Sequence, residues 1–336
     1  MQGVNIVEQI VEQSQQGSFE DEKRKRLNEK LIRELGPTVM AALSDEAVVE
    51  IMLNQDGQLW EDRHNSGMKP VGQMDRNRAI SLIGTIAGML NLEASVNAPV
   101  IEGELPLDGS RFEGLLPPVV QSPVFAIRKK AHFVYTLDDY VKDGIMAPEH
   151  RASIISHVKQ KSNFLIVGGT GTGKTTLANA ILSAVSTYSP NDRIVMLEDT
   201  LELQCSSPNV VSLRTSSAKN MNDLLRATMR LRPDRICVGE VRDKAAHDLL
   251  KAWNTGHPGG LATIHANSAE MALTRLSQLV EEAGVPAIPA VVASAVNVVI
   301  SIQRTSTGRK IKQMIEVIGV DPDTGEYMFK PVRVAE

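Results

Sequence analysis

The sequence is poor in cysteine and has no long apolar run. Its 336 residues include only Cys205 and Cys237, which are too few for a four-cysteine zinc site and are typical of a reducing compartment. No apolar stretch reaches the roughly 18 residues that span a membrane, and the N-terminus lacks the basic and apolar regions of a signal peptide. These absences predict a cytoplasmic protein without a four-cysteine zinc site, which could still dock on a membrane complex.

Aromatic residues are also scarce, at 4%, and the net charge at pH 7 is −4. Motors that track nucleic-acid strands use stacking aromatic side chains and basic grooves, so direct DNA binding is not expected. A RecA-like helicase stays open as an alternative function. With 42% hydrophobic and 23% charged residues, the composition is that of a globular protein, and the length favours two domains.

One stretch matches the phosphate-binding P-loop pattern G-x-x-x-x-G-K-[ST]. It follows an apolar run at 163–167, which predicts a buried strand, and precedes apolar residues at helical spacing. Backbone N–H groups of such a loop bind phosphates, the lysine contacts the β- and γ-phosphates, and the next hydroxyl binds Mg²⁺. No Asn/Thr-Lys-x-Asp tetrapeptide that recognises guanine occurs, so ATP is favoured over the GTP of a switch protein. The predicted nucleotide-binding residues are Gly168, Gly169, Thr170, Gly171, Thr172, Gly173, Lys174, Thr175 and Thr176, with Thr175 also on the metal.

Three further apolar runs each end on ionisable residues, as expected for parallel strands whose carboxyl ends line a ligand site. These endings are Glu198-Asp199, Glu240 and His265. We interpret Glu240 as the group that orients or deprotonates the attacking water, and His265 as a contact to the γ-phosphate. Glu198 and Glu240 are candidates to support the metal through water, together with Asp199 and Glu202. The choice of general base stays open. An ordinary acidic turn is the alternative interpretation of Glu198, Asp199 and Glu202, and a histidine packed in the core is the alternative for His265.

The first half of the chain carries no nucleotide motif. It predicts a helix with an apolar face formed by Val4, Val7, Ile10 and Val11, a break at 15–18, and a second helix that Gly36-Pro37 ends. The first helix could pack on its own domain, on a neighbouring subunit, on a partner or on a membrane surface. The other predicted elements are a helix at 78–92 and strands at 48–53, 58–61, 100–104, 111–116 and 124–128.

Four motifs in order make the chain similar to the secretion ATPases of the traffic ATPase superfamily, the PilT/GspE-like proteins. They are the P-loop at 168–175, the Asp box at 193–202, the Walker B box at 231–243 and the His box at 256–267. The Walker B box lacks the usual aspartate before its glutamate, so the metal must be held by Thr175, water and carboxylates elsewhere. The form of the His box, with upstream stretches at 107–112 and 116–119, resembles the conjugation and type IV secretion branch.

The resemblance implies an α/β fold in which a RecA-like P-loop domain with a mainly parallel sheet follows a smaller mixed α/β domain. The expected boundaries are a helical extension at 1–36, the first domain at 37–133, a linker at 134–150 and the ATPase domain at 151–336. It also implies that ATP is hydrolysed with Mg²⁺ at the domain interface. Arg111 and Arg128 lie on adjacent predicted strands and match two family arginines that reach the phosphates, whereas without the resemblance they would be ordinary surface residues.

The resemblance further implies a homohexamer, peripheral to the cytoplasmic face of the inner membrane and bound to membrane subunits of a conjugation or type IV secretion channel. Such a motor would power mating-pair formation, pilus assembly or substrate translocation. A type IV pilus or type II secretion motor of the same superfamily is the alternative. The zinc-binding tetracysteine of many type II relatives is absent, so no zinc is expected. The longer C-terminal region of retraction motors is not found after Val317, which weighs against a retraction role.

Overall fold

The computed structural model describes residues 6–63, 66–130, 134–216, 218–305 and 308–334, with side chains from residue 21 onward. The chain divides into two compact units, Met1–His132 and Phe133–Glu336. Both units combine helices with a β-sheet, so the predicted α/β class is confirmed. No helix in the described ranges is long and apolar enough to cross a membrane.

The first unit begins with the helical element α1 (Ile6–Ser44), in which two helices meet at a kink at Gly36. The helix runs through residues 15–18, where a break was expected. Gly36 leaves helical geometry, with φ 71° and ψ 177°, and the helix resumes at Pro37. Proline is tolerated in the first turn of a helix, so one helix ends at Gly36, as the sequence predicted, and a second begins at Pro37 without a connecting loop. The predicted apolar face at Val4 to Val11 lies outside the described side chains.

The rest of the first unit is helix α2 (Arg76–Met89), capped by Asp75, and a six-stranded sheet. The strands are β1 (Val48–Leu53), β2 (Gln58–Arg63), β3 (Gly67–Gln73), β4 (Val100–Glu104), β5 (Arg111–Leu115) and β6 (Val124–Arg128). They lie in the order β3-β2-β1-β6-β5-β4, and the pairs are antiparallel. Ile51, Ile127 and Phe112 are cross-strand neighbours in the buried core of this unit, so the residues beside them point to the opposite face of the sheet.

Helices α3 (Leu137–Lys142) and α4 (Pro148–Lys159) open the second unit and occupy much of the expected linker at 134–150. Thr136 and Asp139 form a capping box at the start of α3. Leu137, Tyr140 and Met146 are buried in the core of this unit. This segment is therefore part of the second unit's packing.

The second unit contains an eight-stranded sheet. Its strands are β7 (Phe164–Val167), β8 (Ile194–Glu198), β9 (Val210–Arg214), β10 (Arg235–Val238), β11 (Leu261–Ile264), β12 (Val298–Thr305), β13 (Gly308–Val320) and β14 (Tyr327–Pro331). The order is β14-β13-β12-β7-β11-β10-β8-β9. The pairs from β12 to β9 are parallel, whereas β13 and β14 pair antiparallel.

Apolar cores cover both faces of this sheet, which explains why its central strands read as continuous apolar runs. The helices that follow α4 are α5 (Lys174–Tyr188), α6 (Met221–Thr228), α7 (Ala245–Asn254), α8 (Met271–Glu282) and α9 (Pro289–Ala295). Because β7, β8, β10 and β11 run in the same direction, the residues that follow them meet at one edge of the sheet. The P-loop and three predicted site residues lie at this edge.

Candidate active site

The P-loop connects β7 to α5, as the sequence predicted. Gly173 precedes the helix with φ 99°, a conformation that side chains rarely adopt. At Gly168 a Cβ atom would lie only 2.4 Å from the carbonyl oxygen of Ile302. Thr172 closes the turn by donating from Oγ1 to the carbonyl oxygen of Gly169, at 2.9 Å. The two motif glycines are therefore required by backbone conformation at one position and by close packing at the other.

Lys174 is folded into this loop and is only 8% exposed. Its Nζ donates to the carbonyl oxygens of Gly168 and Gly169, each at 2.9 Å, and lies 3.3 Å from Nδ1 of His265. An ammonium group offers three donors and no acceptor. The geometry thus holds the positive charge of Lys174 at the mouth of the loop, where phosphate oxygens can replace the carbonyl contacts.

His265 connects Lys174 to Glu240. Its Nε2 lies 3.0 Å from Oε1 of Glu240. Since the ammonium of Lys174 can only donate, Nδ1 of His265 accepts, and the proton of the neutral ring is then on Nε2, where it donates to the carboxylate. The structure therefore brings together three residues that the sequence placed in separate motifs.

Glu240 is also paired with Arg242, whose Nη2 donates to Oε2 at 2.7 Å. Burial, the largest single influence, raises the pKa of Glu240. The hydrogen bond and charge of Arg242, with smaller contributions from His265 and Lys174, outweigh it, so the pKa of Glu240 lies below its ordinary value. This carboxylate is ionised at neutral pH and can accept a proton or a hydrogen bond from water.

Arg242 is a site residue to which the sequence analysis gave no role. It lies two positions after Glu240 in the Walker B box, and its Nη1 is also 4.0 Å from Oδ2 of Asp199. Asp199 in turn accepts a hydrogen bond from Oγ1 of Thr215 at 2.9 Å. The only signal in the sequence is a basic residue close to a strand-end carboxylate.

Glu198 ends β8 and is 3% exposed. Its Oε1 accepts hydrogen bonds from the backbone N–H groups of Glu202 and Leu203, at 2.9 and 2.8 Å. A Cβ atom at Gly239 would lie 2.9 Å from Cγ of Glu198, so this side chain packs directly beside the residue that precedes Glu240. Glu198 fixes the turn of the Asp box, and that oxygen is already engaged by protein donors.

Thr175 and Thr176 lie in the first turn of α5, directly after Lys174. A hydroxyl here, and the carboxylates of Glu240 and Glu198 at the same edge of the sheet, are oxygen donors of the kind that Mg²⁺ prefers. Thr170 is exposed at the tip of the loop. The donor set therefore fits a magnesium nucleotide.

Arg111 and Arg128 belong to the first unit, where they are direct partners on antiparallel β5 and β6. Arg128 is also the cross-strand partner of Glu50 on β1. Burial raises the pKa of Glu50, and the nearby charges of Arg128 and Arg111 offset this only in part. The first unit thus presents two adjacent guanidinium groups on one face of its sheet.

With this geometry established, comparisons with known proteins identify the class. Residues 91–321 match the family model described as "Type II/IV secretion system protein". The chain therefore belongs to the type II/IV secretion system protein family.

The chain is 51% identical over 292 residues to "Probable conjugal transfer protein TrbB" of Sinorhizobium fredii, covering 87% of this chain and 90% of that protein. It is 50% identical over 294 residues to "Conjugal transfer protein TrbB" of Rhizobium radiobacter, covering 88% and 91%. The crystallised ATPase DotB of Yersinia pseudotuberculosis shares the fold, with a TM-score of 0.60 at 16% identity over 81% of this chain and 76% of that chain. The resemblance to the conjugation and type IV secretion branch is confirmed.

Proposed function

We propose that this protein is an ATPase that powers conjugative transfer or type IV secretion. Its RecA-like second unit would hydrolyse ATP to ADP and phosphate and couple that reaction to secretion. The observation that carries the proposal is the connection of Lys174 to Glu240 through His265, in a chain about half identical to conjugal transfer proteins. A phosphate-binding cation and an ionised carboxylate at one strand edge are what phosphoanhydride hydrolysis requires.

In this proposal Glu240 orients the attacking water and accepts its proton. Arg242 keeps Glu240 ionised by its hydrogen bond and charge. His265 places an N–H beside the carboxylate and contacts the γ-phosphate when Lys174 turns toward the nucleotide. Glu198 keeps the Asp box in place beside Gly239, so it contributes to the position of Glu240 and to the shell of water around the metal.

Mg²⁺ would be held by the hydroxyl of Thr175 and, through water, by Glu240 and Glu198. When bound, it neutralises phosphate charge. The backbone N–H groups of the loop and the first turn of α5, including those of Thr175 and Thr176, point toward the β-phosphate end of the nucleotide in P-loops of this kind.

Assembly and location are further parts of the proposal. Membership of a secretion system family supports a homohexamer at the cytoplasmic face of the inner membrane, bound to membrane subunits of the channel. Arg111 and Arg128 would then reach the phosphates of a nucleotide bound to the P-loop. An arginine offers a permanently charged planar fork that suits phosphate oxygens.

The test is genetic and enzymatic. Deletion of the gene should block plasmid transfer between cells while plasmid replication continues. Complementation by the wild-type gene should restore transfer, whereas a gene carrying Lys174→Ala should not. The purified Lys174→Ala protein should retain its fold and lose ATP hydrolysis. Transfer that continues in the deletion strain, or hydrolysis by Lys174→Ala at the wild-type rate, would disprove the proposal.

A further inference from the structure

The P-loop has a second neighbour that belongs to none of the four motifs, the hairpin formed by β12 and β13. Ile302 of β12 is packed against both motif glycines, through its carbonyl oxygen at Gly168 and its side chain at Gly173. Arg309, the second residue of β13, lies against the end of the loop at Gly173. A Cβ atom at Gly173 would be 3.0 Å from Cδ of Arg309 and 3.3 Å from its Nε. A long cationic side chain therefore lies along the phosphate-binding loop.

The Nε of Arg309 is buried and has no hydrogen-bond partner in the described part of the chain. Arg309 also lies near Tyr140, whose pKa is raised by burial and lowered in part by the charge of Arg309. Buried polar groups are almost always hydrogen-bonded in native proteins, so a buried donor beside a ligand loop points to a ligand acceptor.

The order of strands indicates which part of the nucleotide would accept a hydrogen bond from Arg309. The P-loop follows β7, and the residues proposed for hydrolysis follow β11, β10 and β8, all on one side of β7. The hairpin of β12 and β13 lies on the opposite side. Since the γ-phosphate must face Glu240, the α-phosphate and the nucleoside extend toward the hairpin.

We propose that Arg309 is a nucleotide-binding residue, which donates from its guanidinium to the α-phosphate end of the nucleotide held by the P-loop of the same chain. This inference rests on the proposed ATPase function and names a further contact of that site. The aliphatic stem of Arg309 occupies the space that a side chain at position 173 would need, which is a further reason for glycine at this position.

The test compares charge-free and control variants of the full-length protein. Arg309→Met keeps a long apolar stem against Gly173 and removes the donors, and Arg309→Gln is a second variant should the methionine variant unfold. Lys310→Ala is the matched control, because Lys310 is the next residue of β13, is exposed, and also removes one positive charge. Binding of Mg·ADP and of the non-hydrolysable ATP analogue Mg·AMPPNP is measured by calorimetry, at two salt concentrations.

Losing one hydrogen bond to a charged group should weaken binding by about 10- to 100-fold. The factor should be similar for ADP and AMPPNP, since both carry the α-phosphate, and the salt dependence of binding should become shallower. Wild-type affinity in Arg309→Met or Arg309→Gln would mean that Arg309 only packs on the loop and would overturn the inference. A loss confined to AMPPNP would overturn the assignment to the α-phosphate end.

Lys174→Ala separates this inference from the proposed function. If Lys174→Ala hydrolyses ATP at the wild-type rate, the proposed function fails, and the role of Arg309 that rests on it fails too. If Lys174→Ala loses hydrolysis while the Arg309 variants bind nucleotide like the wild type, only the role of Arg309 fails.

Discussion

Nε2 of His265 lies 3.0 Å from Oε1 of Glu240. The other ring nitrogen of His265 lies 3.3 Å from Nζ of Lys174. One imidazole thus contacts both the cation proposed to bind phosphate and the carboxylate proposed to orient the attacking water. In the proposed mechanism, a nucleotide that draws Lys174 away from His265 would change what Nδ1 contacts, and this single side chain would link occupancy of the P-loop to Glu240.

Glu240→Gln should preserve nucleotide binding and lower turnover by about 10²-fold or more, as expected when a general base or water-orienting group is lost. The measurement is steady-state ATP hydrolysis together with nucleotide affinity. Glu198→Gln is the control, because its amide oxygen can still accept from the backbone of the Asp box. A severe loss in Glu198→Gln with a mild one in Glu240→Gln would assign the base to the other carboxylate.

Arg242→Ala should move the acid limb of the pH profile of kcat/KM to higher pH. The pKa of Glu240 is depressed in the folded protein, so activity that needs its ionised form is lost only as pH falls through that depressed value. Without Arg242, burial is no longer offset to the same degree, and the pKa of Glu240 rises. Arg242→Lys, which keeps the charge, should show a smaller shift. An acid limb that stays in place in Arg242→Ala would contradict the assigned role of Arg242.

Much of the site could be predicted because its residues directly follow apolar runs. The P-loop after β7, Glu198 at the end of β8, Glu240 after β10 and His265 after β11 were all placed correctly at strand ends. Parallel strands buried on both faces give an unbroken apolar signal, and their common direction brings the residues that follow them to one edge.

What the sequence could not supply depends on contacts between distant segments. Arg309 lies on the P-loop only because β12 pairs with β7 and returns through a hairpin. The pairing of Arg242 with Glu240 is a matter of side-chain conformation, which spacing does not decide. At Gly36 one helix ends as the sequence predicted, but the sequence did not show that a second helix begins at once at Pro37, with Leu35 and Val39 on either side both buried in the core.

Arg235→Ala should lower the free energy of unfolding of the second unit by about 3–5 kcal/mol, the usual cost of breaking a buried ion pair. Arg235 is fully buried and donates to Oδ2 of Asp192 at 2.7 Å and to the carbonyl oxygens of Gly259 and Val158, each at 2.9 Å. Thermal and denaturant unfolding measure the change.

The control for Arg235 is Arg226→Ala. Arg226 is exposed and forms a surface ion pair with Asp248 at 3.5 Å, which is worth about 1 kcal/mol at most. Equal losses of stability in the two variants would show that the buried network around Arg235 contributes no more than a surface pair.

Mass photometry in the presence of Mg²⁺ and ATP should detect an assembly of six protomers, as membership of the secretion family leads us to expect. Glu240→Gln is the best protein for this measurement, because slow turnover keeps ATP bound. A species that stays monomeric at micromolar concentration under all nucleotide conditions would contradict the hexamer.

Arg111→Ala or Arg128→Ala should lower ATP turnover by roughly 10³-fold, the size of effect that an arginine acting on the transferred phosphate can have. The two residues are cross-strand partners, and like charges placed opposite each other destabilise a sheet. Removing one of them should therefore leave the first unit folded, as circular dichroism would show.

Arg76→Ala is the matched control for these arginines, since Arg76 is an exposed residue at the start of α2 in the same unit. It should hydrolyse ATP like the wild type. Mass photometry of each variant separates loss of assembly from loss of catalysis, because an arginine that acts on the phosphates can be removed without dissolving the oligomer. If both single variants and the double variant assembled and turned over ATP at the wild-type rate, neither arginine would contact the reacting phosphates, and coupling of hydrolysis to the first unit would need another route.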